Sequence, residues 1–274
     1  MAQALLYFTT KYLQSIEGYF MSIKFVDLLQ QSWNFMRNQQ AFSLFAIVTI
    51  VVVQLVFILV SPNSPELMAE SQPQQLQIDA SKMVSILMVS ILLPTILLGV
   101  VNLLINVLMI FNIQSINDGN YRQFFQNAGN ALKHFLPVLL LQFVMVLPLS
   151  LGASFAMASP ETVIIALPVL VVGFYFFIKL SLVIYAYLLE KPQKSLSESI
   201  KFTLQLSRGK MLPLILFCVI SYLLPGMLSR LFTVFGNDFI GIFITIVLSA
   251  VINVFMAIFS FRFYQVYRQM PAVR

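Results

Sequence analysis

The chain has 274 residues, of which 59% are hydrophobic and only 9% charged, with a formal charge of +6. Soluble domains devote about a quarter of their residues to charge, so this composition cannot coat a globule in water and excludes a soluble enzyme or nucleic-acid-binding domain. A single cysteine, Cys218, excludes an internal disulfide and any cysteine-based metal cage.

The first twenty residues, Met1 to Phe20, are interrupted by Lys11, Gln14 and Glu17, which is not the pattern of a cleaved signal peptide. They are expected to form an N-terminal extension (1–20). MSIKFVDLL, from Met21, has the look of a natural start, so translation from Met21 is a second expectation. Residues 21–269 then read as a single integral membrane domain, followed by a tail at 270–274.

Six apolar windows follow in order: Ala41 to Val60, Met83 to Ile113, Phe135 to Met157, Val163 to Leu189, Met211 to Phe235 and Phe239 to Phe263. Each reaches the roughly 20 residues that span a hydrocarbon core, so the fold class is all-α with six transmembrane helices rather than a barrel. The connection from Ser61 to Lys82 is rich in Pro, Gln and Ser and is expected to be flexible, with room for one short helix.

Lys and Arg collect on alternate connections. Lys11, Lys24 and Arg37 precede the first window, Arg122 and Lys133 the third, and Lys191, Lys194, Lys201, Arg208 and Lys210 the fifth, while Arg262, Arg268 and Arg274 lie at the end. The positive-inside rule therefore predicts cytoplasmic N- and C-termini and places the connection from Ser61 to Lys82 outside.

Self-comparison gives a repeat. LLQQSWNFMR (Leu28 to Arg37) stands before the first window and FFQNAGNALK (Phe124 to Lys133) before the third, both with helical spacing of apolar residues. LSESIKFTLQLSR (Leu196 to Arg208) precedes the fifth with weaker likeness. The pattern predicts three copies of an interfacial amphipathic helix plus a transmembrane hairpin; the alternative is six ordinary helices with two helical loops. Trp33, Arg37, Phe124, Phe125 and Lys133 are the expected contacts with membrane lipids at the interface.

Polar side chains inside the windows are where function is sought first. Asn102, Asn106, Lys179 and Asn253 form the candidate intramembrane polar site, with Ser249 and Ser260 on the stripe of Asn253. Two readings stand. Either these groups line a cavity in which Lys179 attracts an anion, or the asparagines bridge helices and Lys179 snorkels. No catalytic residues are assigned: the one histidine, His134, lies at an interface, no acid lies inside a window, and no phosphate-binding glycine motif occurs. No cofactor, metal or nucleic-acid partner is expected.

NFMRNQ (Asn34 to Gln39), SPELMAESQPQQLQ in the outer connection, Leu136 with Pro137, and FRFYQVYRQ (Phe261 to Gln269) carry a resemblance over Met21 to Gln269. In these residues the chain resembles the YciC family of bacterial inner-membrane proteins. The resemblance implies an inner-membrane address and no assigned activity. A wider likeness to the membrane domain fused to glycerophosphodiester phosphodiesterases hints at lipid biology by architecture alone. The expected role is a structural or accessory membrane component, and the alternative is a small carrier or lipid-handling protein using the polar site.

Overall fold

The computed structural model describes residues 23–60, 93–158, 161, 163–236 and 238–271. The expected extension at 1–20, the whole 61–82 connection with the first ten residues of the second window, and residues 272–274 lie outside the described residues. The described part is all-helical, with six helices long and apolar enough to cross a membrane.

Helix α1 (Phe25–Asn38) buries Leu28, Ser32 and Phe35 and leaves Asp27, Trp33 and Arg37 exposed, as its amphipathic spacing predicts. At Gln39 the chain turns into α2 (Gln40–Val60). The corner is held by the Ser43 hydroxyl, which donates to the Met36 carbonyl at 2.9 Å, and by the Gln39 N–H, which donates to Phe35 at 2.9 Å. Along α2, Leu44, Val48, Val52 and Val56 recur every four residues and each is about half exposed. Such a stripe is stable only against lipid, because water would penalise a continuous apolar face.

Helix α3 (Leu93–Asn117) is followed by a 3₁₀ turn (Phe124–Asn127) that runs directly into α4 (Ala128–Ala158). The second pre-span segment is therefore continuous with its span, whereas the first and third are separate helices. Asn112, fully buried, donates from Nδ2 to the Phe124 carbonyl at 2.6 Å and accepts from Asn127 at 2.8 Å, and Asn127 also donates to Ser115 at 2.9 Å. This network closes the end of α3 onto the entry of α4 and satisfies polar groups that the apolar surroundings could not.

The predicted fourth span is interrupted. It comprises α5 (Val163–Leu180) and α6 (Val183–Leu189), separated by a turn at Ser181 and Leu182. Helices α4 and α5 form an antiparallel hairpin whose close approach depends on glycine. A Cβ at Gly173 would lie 2.8 Å from the Leu149 Cα, and one at Gly152 would lie 2.9 Å from the Leu170 backbone nitrogen.

Helix α7 (Leu196–Leu206) begins with a capping box between Ser195 and Glu198. The fifth span follows as α8 (Met211–Cys218), a π-helical turn (Val219–Leu223) and α9 (Leu224–Phe232). The π turn has a local cause. Pro225 has no N–H and cannot serve the Ser221 carbonyl four residues earlier, and the Leu224 N–H reaches back five residues to Val219.

The last helix, α10 (Phe239–Gln269), is the axis of the bundle, packing on α1, α2, α3 and α9. Its Phe259, Phe261, Phe263, Tyr264 and Tyr267 are all essentially buried, and Phe263 stacks on Phe217 of α8 at 4.4 Å. Both hydrophobic clusters of the protein include residues of α10, so it joins the first half of the chain to the second.

Candidate functional site

The interruption of the fourth span at Ser181 and the π turn of the fifth face one another across a cavity of about 270 Å³ that opens at the side of the bundle, with Asn106, Tyr222 and Asn253 exposed on its wall. Five spans contribute to its wall. Its polar lining is Asn106 from α3, Gln142 from α4, Ser181 and Tyr185 from the fourth span, Ser221 and Tyr222 from the π turn, and Asn253 and Ser260 from α10. Ser221 lies ten residues from the start of α8, about 15 Å along the helix axis, which is close to half the thickness of a hydrocarbon core.

Local geometry explains the hydroxyls. The turn at Ser181 lets its Oγ donate to the Ile178 carbonyl at 2.8 Å, which satisfies a backbone group freed by the helix break. The Ser221 and Ser260 hydroxyls are 3.4 Å apart, and Tyr185 stacks on Tyr264 with ring centroids 6.0 Å apart. Tyr222 packs edge-on against Phe177 at 5.1 Å. The amides differ from the hydroxyls. Among the described residues, the side chains of Asn106, Gln142 and Asn253 have no protein hydrogen-bond partner.

Of the four predicted site residues, Asn106 and Asn253 line this cavity, and Asn102 and Lys179 do not. Leu103, Asn106, Val107 and Ile110 form the lining stripe of α3, and Asn102 falls a turn away at its edge. Lys179 is two residues from Ser181, roughly 200° around the helix, so it points away from the cavity. Its amine sits 4.8 Å above the ring of Tyr175, which is 47% exposed on the outer face of α5. Of the two readings of Lys179, this position is the one outside the cavity, whose lining contains no charged side chain. Asn253 also lines a second cavity, of about 250 Å³, with Pro225, Ser229, Phe232 and Ser249.

The predicted interfacial residues divide in the same way. Trp33, Arg37, Phe125 and Lys133 are exposed. Phe124 is 3% exposed and packs against Phe42 at 6.0 Å, which leaves it no lipid contact. Adjacent phenylalanines in a 3₁₀ turn point to different sides, and only one can face outward.

The sequence reading missed Gln142, Tyr185, Ser221 and Tyr222. Pro225 was the available signal for Ser221, since a proline frees the carbonyl four residues before it. It also missed a charged cluster just beyond the spans. Glu190 accepts from the Tyr264 hydroxyl at 2.6 Å and from Arg268 at 3.0 Å, with the Lys194 amine at 3.6 Å. Burial pushes the Glu190 carboxyl up, and the Tyr264 hydroxyl, Arg268 and Lys194 outweigh it, so it titrates below the usual carboxylate value. Lys210, buried beside Tyr267 and donating to the Met270 carbonyl, is pushed down by desolvation. Among the described residues, no three of His, Cys, Asp and Glu are grouped to hold a metal ion.

The fold and its cavity define a multi-pass, all-helical membrane protein. The chain is 26% identical to an uncharacterised protein of Haemophilus influenzae over 254 residues, covering 90% of this chain and 99% of that relative. No family model matches, and no solved structure does.

Proposed function

We propose that this chain is a non-enzymatic lipid-handling protein of the bacterial cytoplasmic membrane, with both termini in the cytoplasm, and that its central cavity takes the uncharged, hydrogen-bonding part of an amphiphile. The observation that carries this reading is the set of amides without protein partners, Asn106, Gln142 and Asn253, on the wall of a cavity at mid-membrane depth. An amide in an apolar medium without a hydrogen bond costs several kcal/mol, so the site favours an occupant with hydroxyl or amide groups. The uncharged lining disfavours an inorganic ion or an ionised metabolite. The bacterial relative and the Lys and Arg asymmetry support the address, and the motifs quoted above support membership of the YciC family.

Native mass spectrometry of the protein extracted in its own lipid tests the reading. A stoichiometric amphiphile is expected on the wild type and on Lys179→Met, and its loss is expected in the Asn106→Leu/Asn253→Leu double variant. Retention by the double variant, or bulk lipid alone on the wild type, would overturn it.

A further inference from the structure

A separate pocket lies at the membrane surface where the cations collect, and we propose that it binds a phosphate-bearing anion. It measures about 430 Å³ and is lined by Lys133, His134, Tyr187, Gln193, Lys194 and Ser195. These residues come from three elements that the fold brings together: the start of α4, the helix α6 and the loop leading into α7. No carboxylate lines the pocket.

The charge balance favours an anion. Glu190 is the carboxylate nearest Lys194, at 3.6 Å, and it already receives Arg268 at 3.0 Å and the Tyr264 hydroxyl at 2.6 Å. Lys133 has no ion pair among the described residues, and Glu198 is a second acid acting on Lys194, so the three cations Lys133, Lys194 and Arg268 share two acids. The surplus positive charge falls at headgroup depth, where α4 enters its apolar stretch. There the local dielectric is lower than in bulk water and each cation attracts an anion more strongly.

The pocket is also rigid. His134 is held between Phe111 and Tyr187, with ring centroids at 5.5 and 6.0 Å, and its Nδ1 lies 2.8 Å from the Asn130 carbonyl. That contact places a proton on Nδ1, so Nε2 of the neutral ring is an acceptor and His134 shapes the pocket rather than donating to the anion. At the N-terminus of α7 the capping box occupies the Ser195 and Glu198 amides. The two ammonium groups hold the anion, and the Gln193 amide and the Tyr187 and Ser195 hydroxyls supply further donors. A lipid headgroup and free phosphate present the same oxygens.

The test uses the full-length protein in detergent, with binding of short-chain phosphatidylglycerol, phosphatidylcholine of equal chain length and inorganic phosphate measured separately. Phosphatidylglycerol should bind at least tenfold more tightly than phosphatidylcholine. Lys133→Gln and Lys194→Gln should each weaken binding several-fold and together more than tenfold, while Lys133→Arg should stay within about threefold of wild type. Lys133 is exposed, so its replacement leaves the fold intact, and an unchanged melting temperature checks this. Competition by inorganic phosphate at matched concentration identifies a free-phosphate site, and its absence identifies a headgroup site. Binding lost in the lysine variants is assigned to this site, and binding lost only in Asn106→Leu/Asn253→Leu to the central cavity, which separates the two. Equal affinity for the two lipids, or an unchanged affinity in the double lysine variant, would overturn the proposal.

Discussion

Replacing Asn112 by leucine tests whether polar contacts at the end of α3 hold the first half of the bundle together. The side chain is fully buried, and leucine is close enough in volume that packing changes little. Two hydrogen bonds disappear: the one Asn112 donates to the Phe124 carbonyl at 2.6 Å and the one it accepts from Asn127 at 2.8 Å. A buried hydrogen bond contributes about 0.5–1.5 kcal/mol, and bonds between membrane helices average about 0.6, so the loss comes to between about 1 and 3 kcal/mol. The lower half of that range is favoured because Asn127 keeps Ser115 as a partner at 2.9 Å. Reversible unfolding in mixed micelles by added denaturing detergent measures the difference. The companion Asn127→Leu completes a double-mutant cycle, in which the two losses should be non-additive by about 1 kcal/mol. A change below about 0.5 kcal/mol in the single variant, or strict additivity in the cycle, would refute the reasoning.

Four further outcomes follow. Gly173→Ala should force α4 and α5 apart, because its Cβ would lie 2.8 Å from the Leu149 Cα, and should cost about 1–3 kcal/mol in the same unfolding assay. Gly129→Ala, with nothing within 4 Å, should cost nothing. The Glu190 carboxyl is depressed in the folded protein, so the stability it contributes is fully present above its unfolded value of about 4.3 and is lost as the pH falls through the lower folded value. The difference in unfolding midpoint between wild type and Glu190→Gln should therefore be constant from pH 7 to about 5 and shrink below about 4, and growth on acidification would contradict this. Reporters fused after Arg274 and within Ser71 to Ala80 should lie on opposite sides of the membrane, and agreement between them would end the predicted topology.

The spans were legible because length and hydropathy alone decide whether a segment crosses lipid: Ala41 to Val60 and Phe239 to Phe263 match α2 and α10 closely. The breaks were not. Val163 to Leu189 reads as one uninterrupted apolar run, and only packing makes Ser181 and Leu182 a turn. The π turn had a signal in Pro225, but a proline in a membrane helix produces a kink as readily as a widened turn. The site was half legible for a related reason. Asn106 and Asn253 stand out against apolar neighbours, whereas the helix faces are so uniformly apolar that nothing in α5 marks which side Lys179 takes. Tyr185 and Tyr222 were hidden in another way, since tyrosine is as common at membrane interfaces as in polar cavities. Phe124 was misplaced because the amphipathic repeat was extended across a junction where the helix begins only at Ala128.

Site-specific photo-crosslinking addresses the central cavity most directly. A photoreactive side chain is placed at Tyr222, on the cavity wall, and in a separate variant at Val171, which is 67% exposed on the lipid face of α5. The account predicts that the Tyr222 position captures one lipid class, through its headgroup, well above that lipid's share of the membrane, while the Val171 position captures acyl chains in bulk proportion. The same bulk distribution at both positions would contradict it.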